Sequence, residues 1–253
     1  FADYRQYVAG DDPKHIDWRV FGRNERLYLR QDEEETSLRV HLIVDGSNSM
    51  SYAHGKVSKY RFAASCAAAL AYITVHQQDA VGLALFDESC RAVIPPHGGA
   101  EQLRIICRQL AQHQPAAKTD MAATLHHLAE QAKRRGVVII FSDLFDDCDK
   151  LKAALAHFRR RRHDVIVYQV LDRAELDFPF REVGAFEDLE SGERIVTSPK
   201  DIRASYQEAI EEFLYRCRQV CAGLDVEHVM ALSDQEPVDL VVRHLHQRAL
   251  AGR

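Results

Sequence analysis

Between Leu38 and Met50 the sequence reads LRVHLIVDGSNSM, and its chemistry sits at the end. Asp45, Ser47 and Ser49 place one carboxylate and two hydroxyls at alternate positions. On an extended loop, alternate side chains turn the same way, so the three oxygens would converge on one point. Hard oxygen donors at that density suit Mg²⁺, which keeps several waters and takes few protein carboxylates; the same donors suit Mn²⁺. The same residue types also build polar turns in which Asp and Ser bond only to nearby backbone. The short motif by itself leaves both readings open.

The surrounding elements decide where these oxygens stand. Val40, Leu42, Ile43 and Val44 form an apolar, β-branched run, the pattern of a buried strand, so Asp45 falls at its carboxyl end. Val137–Asp143, VVIIFSD, is a second such strand that ends in an acid. Lys118-Thr119-Asp120 follows a proline-containing loop and precedes a helical run. In an open α/β sheet, ligands bind outside the carboxyl ends of the strands. These residues resemble a von Willebrand factor A-type domain, whose metal-ion-dependent adhesion site uses Asp-x-Ser-x-Ser, then a distant Thr, then a distant Asp. Asp45, Ser47, Ser49, Thr119 and Asp143 match those positions in order. The resemblance implies that the three hydroxyls touch the cation while the two carboxylates act mostly through water. It also implies one open position for a carboxylate of a partner protein.

The first 37 residues narrow the resemblance. Arg5, Tyr7, Gly10-Asp11-Asp12, Ile16-Asp17-Trp18 and Arg23 resemble the signature that precedes the A-type fold in the bacterial domain-of-unknown-function family fifty-eight. Members are commonly encoded beside MoxR-type AAA+ ATPases, which implies such an ATPase as partner and an adaptor or co-chaperone role. The rim of the site would come from Ser51–Val57, Pro115–Lys118 and Leu144–Asp147, with His54, Lys56, Lys118 and Asp146 as partner-binding candidates.

A strand-end Asp is also the nucleophile of phosphohydrolases of haloacid-dehalogenase type. That pattern needs a second Asp two residues on, where Ser47 stands, and no motif places a Lys or His base. There is no Walker loop and no Gly-x-Gly-x-x-Gly, so nucleotide binding is unsupported. The binding module is the favoured reading, and no catalytic residue is assigned.

Composition sets the outer bounds. At 253 residues and 46% hydrophobic content the chain can bury a large core. A net charge of −5 gives no electrostatic case for nucleic acid. Six cysteines form no Cys-x-x-Cys pair, which favours a reducing, cytoplasmic compartment, where partners could tie the chain to a membrane. Cys66, Cys107, Cys217 and Cys221 lie on helical patterns and are expected as small buried hydrophobes. No apolar run is long enough to span a membrane. The chain opens at Phe1 rather than Met, which leaves room for a signal or anchor upstream.

Strand and helix patterns alternate from residue 38 onward, so the fold expected is α/β: a doubly wound, mostly parallel sheet flanked by helices. Residues 1–37 are expected as a short β-rich segment packed on the main domain, 38–253, with strands at Ile16–Val20 and Leu27–Leu29. A helix is expected from Ser58 to Gln78, a turn at Pro95–Gly99, and a hairpin insertion at about 180–197. Ser198-Pro199 with an acid three residues on reads as the capped start of a long helix.

Overall fold

The computed structural model describes residues 3–7, 20–22, 27–31, 38–87, 90–115, 121–187, 189 and 192–252. The chain divides into two compact units, Phe1–Ser37 and Leu38–Arg253. In the first, β1 (Asp3–Gln6) pairs antiparallel with β2 (Tyr28–Gln31). Ile16 and Trp18 lie outside the described residues, and Val20–Gly22 are helical, so the expected strand does not reach Val20.

The second unit is a six-stranded sheet. Its strands are β3 (Arg39–Asp45), β4 (Ala80–Phe86), β5 (Cys90–His97), β6 (Val137–Ser142), β7 (Asp164–Leu171) and, past a hairpin, β10 (Glu227–Leu232). Their order across the sheet is β10-β7-β6-β3-β4-β5. Every neighbouring pair is parallel except β4 with β5. This is the doubly wound order, in which the chain winds outward in both directions from the β3–β6 boundary.

The period of two along each strand sorts the core into two layers. Val40, Leu42 and Val44 face one layer with Leu83, Phe141 and Tyr168, and Ile43 faces the other with Ile140 and Val167. Helices α1 (Lys59–His76), α2 (Ala100–Gln112) and α7 (Pro237–Leu250) supply buried residues to the first layer. Helices α3 (Met121–Gln131), α4 (Cys148–Arg160) and α6 (Pro199–Gly223) supply them to the second. Helix α1 carries fully buried Ala63, Ala67 and Ala71 at a spacing of four, which brings its backbone close to the sheet. A short helix α5 (Arg173–Asp177), which the sequence reading did not anticipate, precedes the β8 (Gly184–Glu187) and β9 (Arg194–Thr197) hairpin.

Several local expectations need correction. Pro95, Pro96 and His97 belong to β5, and the turn is confined to Gly98-Gly99. Strand β5 lies at the sheet edge, where prolines need not donate to a ladder. Cys107 is exposed on α2, whose buried face runs through Gln102, Ile106 and Leu110. Ser198 caps α6 by position without a side-chain bond, whereas Ser58 accepts from Arg61 N and caps α1.

Candidate metal centre

Strands β3 and β6 are neighbours at the switch point, so their carboxyl ends deliver Asp45 and Asp143 side by side. Both are buried, at 1% and 2% exposure. Asp45 is held by neutral donors. Its Oδ2 accepts from Ser142 Oγ at 2.6 Å, and its Oδ1 accepts from the Ser47 backbone N–H at 2.9 Å. Burial first, and then the Asp143 charge, push the Asp45 carboxyl up to about 7.

Past Asp45 the chain is not the extended loop expected. Ser47 is extended, but Asn48–Ser51 forms a turn of 3₁₀ helix. The turn still brings Ser47 Oγ and Ser49 Oγ within 3.0 Å of each other. The two hydroxyls share a hydrogen bond at that distance; two oxygens in adjacent corners of a Mg²⁺ octahedron, each at about 2.1 Å, also stand about 3 Å apart, so the pair could take that ion without spreading. Gly46 is required here. A Cβ on it would lie 2.1 Å from His113 Nε2, and the backbone N–H of Gly46 donates to Phe86 O. His113 Nε2 is buried without a hydrogen-bond partner among the described residues.

Asp143 is placed differently. Its Oδ2 accepts from Lys59 Nζ at 2.8 Å and its Oδ1 from Phe145 N at 3.1 Å. Lys59, the first residue of α1, is 1% exposed and also reaches Glu175 Oε1 at 2.7 Å. Burial opposes its charge, but the Asp143 and Glu175 carboxylates outweigh burial and raise the Lys59 pKa. Glu175 completes the capping box of α5: its Oε2 accepts from Asp172 N at 2.7 Å. Asp172 in turn accepts from His54 N and from Ser233 Oγ, each at 3.1 Å, and so joins the ends of β7 and β10 to the loop before α1.

Residues 3–213 match the family described as Protein of unknown function DUF58. The chain belongs to that family. The match crosses both units and contains every site residue expected from the sequence. This DUF58 chain is 26% identical over 196 residues to Uncharacterized protein Rv1480 of Mycobacterium tuberculosis (strain H37Rv) and, to the same extent, to Uncharacterized protein Mb1516 of Mycobacterium bovis. The alignment covers 76% of this chain and 61% of theirs, so the chain spans about three-fifths of the length of these curated relatives. Among solved structures it is similar to an aerotolerance-related membrane protein of Bacteroides fragilis (TM-score 0.55, 18% identity, 83% of this chain and 97% of that one). It is also similar to BatB of Bacteroides thetaiotaomicron (TM-score 0.53, 16% identity, 84% and 98%). At these identities the likeness concerns the fold.

Of the expected ligands in this DUF58 chain, Asp45, Ser47, Ser49 and Asp143 come together at the switch point. Thr119 and Lys118 lie outside the described residues, between α2 and α3. Of the expected rim, His54 and Lys56 line a cleft of about 590 Å³ with Asp172, Arg173 and Ser233. Asp146 is half-buried just before α4 and accepts from Asp147 N. Among the described residues, no three His, Cys, Asp or Glu side chains group closely enough to hold a metal ion. A cation here would rest on the hydroxyls, with the two carboxylates behind them. Ser142, Lys59, Glu175 and Asp172 were not expected from the sequence. Lys59 had one signal: a cation in the first turn of a helix opposes the helix dipole, so it needs another reason to be there. Among the described residues no helix is long and apolar enough to cross a membrane.

Proposed function

We propose that this chain is a metal-dependent protein-binding module. A divalent cation, Mg²⁺ or Mn²⁺, would be held by Ser47, Ser49 and Thr119, with Asp45 and Asp143 acting through water. When bound, it would offer an open position to an acidic side chain of a partner. The observation that carries this reading is the Ser47–Ser49 hydroxyl pair, 3.0 Å apart, beside a buried Asp45 carboxyl lifted to about 7. Two buried carboxylates of one sign side by side are costly, and a cation relieves that cost.

The partner we propose is a MoxR-type AAA+ ATPase, with this chain as its adaptor or co-chaperone. The family resemblance and the chemistry of the site support this. Hydroxyl ligands add no formal charge, so the ion stays electron-poor and attracts an anionic oxygen. A buried, charge-assisted contact of that kind can dominate a small interface.

A hydrolytic role is less well supported. Lys59 supplies a buried ammonium that such an enzyme would use, but both Asp45 oxygens already accept hydrogen bonds and no acid stands at position 47. Capture of the neighbouring ATPase on the immobilised chain, with Mg²⁺ and with EDTA, tests the proposal. Recovery should need the metal and should fall in Thr119→Ala. Equal recovery in both conditions would contradict it, as would phosphomonoester turnover that Asp45→Asn abolishes.

A further inference from the structure

Lys59 stands where neither helix design nor packing calls for a lysine. It is the first residue of α1, where the helix dipole disfavours a cation, and it is fully buried. Its Nζ bridges Asp143 Oδ2 and Glu175 Oε1 at 2.8 and 2.7 Å, and lies 5.1 Å from the centroid of the Phe145 ring. An apolar side chain there would leave the buried Asp143 carboxylate and the partly buried Glu175 carboxylate without this counter-charge.

We propose that Lys59 is a built-in counter-ion that competes with the divalent cation for the carboxylates of the site, and so sets how tightly that cation is held. The inference rests on the cation-binding reading above. Asp143 is the shared group: the ammonium already neutralises it, and a divalent ion at Ser47 and Ser49 would meet a positive charge on the same carboxylate. Glu175 acts from the other side. By sharing the ammonium it draws part of that charge away from Asp143. Removing Lys59 therefore makes the site more negative and should tighten the cation, whereas removing the Glu175 charge should loosen it. Lys59 is a positioning residue in this account, since it touches Asp143 rather than the ion.

The two substitutions should thus move affinity in opposite directions, which damage to the structure would not do. Mn²⁺ is titrated calorimetrically into the EDTA-stripped full chain as wild type, Lys59→Met and Glu175→Gln, with circular dichroism on each. Lys59→Met should bind Mn²⁺ about tenfold tighter or more, from the loss of one positive charge near a divalent ion. Glu175→Gln should bind more weakly than wild type. Equal or weaker binding by Lys59→Met overturns the proposal, and leaves the cation-binding reading standing if wild type still binds. Binding by Lys59→Met alone supports the proposal and shows Lys59 winning the competition outright. No binding by any of the three proteins sinks both ideas. If Lys59→Met does not fold, Glu175→Gln decides by itself, and unchanged or tighter binding there overturns the proposal.

Discussion

Asp45 and Asp143 end adjacent parallel strands, are buried to the same degree and face one site, yet their surroundings differ. Asp143 has a counter-charge in Lys59, 2.8 Å away and shared with Glu175. Among the described residues, Asp45 has neutral partners: the Ser142 hydroxyl at 2.6 Å and the Ser47 backbone N–H at 2.9 Å, joined by the Ser47 hydroxyl. One carboxylate is paired with a cation, and the other is met there by neutral groups. The difference teaches that burial alone does not tell the two acids apart. On the proposed reading, the acid met by neutral groups, with the Ser47–Ser49 hydroxyl pair, is what would call for a cation.

The largest effect should come from breaking the neutralised side. Asp143→Ala leaves the Lys59 ammonium buried with Glu175 as its one carboxylate partner among the contacts described. Loss of one partner of a buried pair costs about 3–5 kcal/mol. Chemical denaturation of the EDTA-treated protein should show a loss of that order. A loss within about 0.5 kcal/mol, typical of surface sites, would mean that Asp143 is not a buried ion-pair partner.

Ser142→Ala sharpens the other side. It removes the hydroxyl that donates to Asp45 Oδ2, and an unsatisfied buried acceptor costs about 1–3 kcal/mol. The Asp45 carboxyl should then titrate higher still, because that hydrogen bond favours the charged form. Denaturation midpoints of Ser142→Ala across pH, compared with wild type, would show both effects.

The pH dependence is the finest test of the comparison. Burial and then the Asp143 charge hold the folded Asp45 carboxyl near 7, against an ordinary value of 3.8. The fold therefore favours the protonated acid. That contribution is complete below about pH 4 and is lost as pH rises to about 7. Relative to Asp45→Asn, metal-free wild type should lose stability across that window and run parallel above it. Melting curves at half-unit pH steps measure the difference. Parallel curves throughout would place Asp45 at an ordinary carboxylate value.

Much of this architecture was legible in residue order. The β-branched runs at Val40–Val44 and Val137–Phe141 had to be buried strands, and alternation with helices implied a parallel sheet. Asp45 and Asp143 at strand ends followed from that. The conformation of Ser49 did not, because a 3₁₀ turn and an extended loop are equally polar in sequence. Lys59 was hidden for a different reason: its partners lie 84 and 116 residues away, and only the sheet order brings Asp143 and Glu175 to it. Pro95 and Pro96 look like a turn by residue type, yet they are tolerated on an edge strand, and edge position is a property of the whole sheet.

The central claim is that Asp45 and the two serine hydroxyls hold a divalent cation. It is tested most directly by calorimetric titration of Mn²⁺ into EDTA-stripped wild type and Asp45→Ala, with circular dichroism to confirm that both are folded. The account predicts saturable binding by wild type and none measurable in Asp45→Ala, with the fold intact. Undiminished binding in the variant, or no binding by either wild type or Lys59→Met, would contradict it.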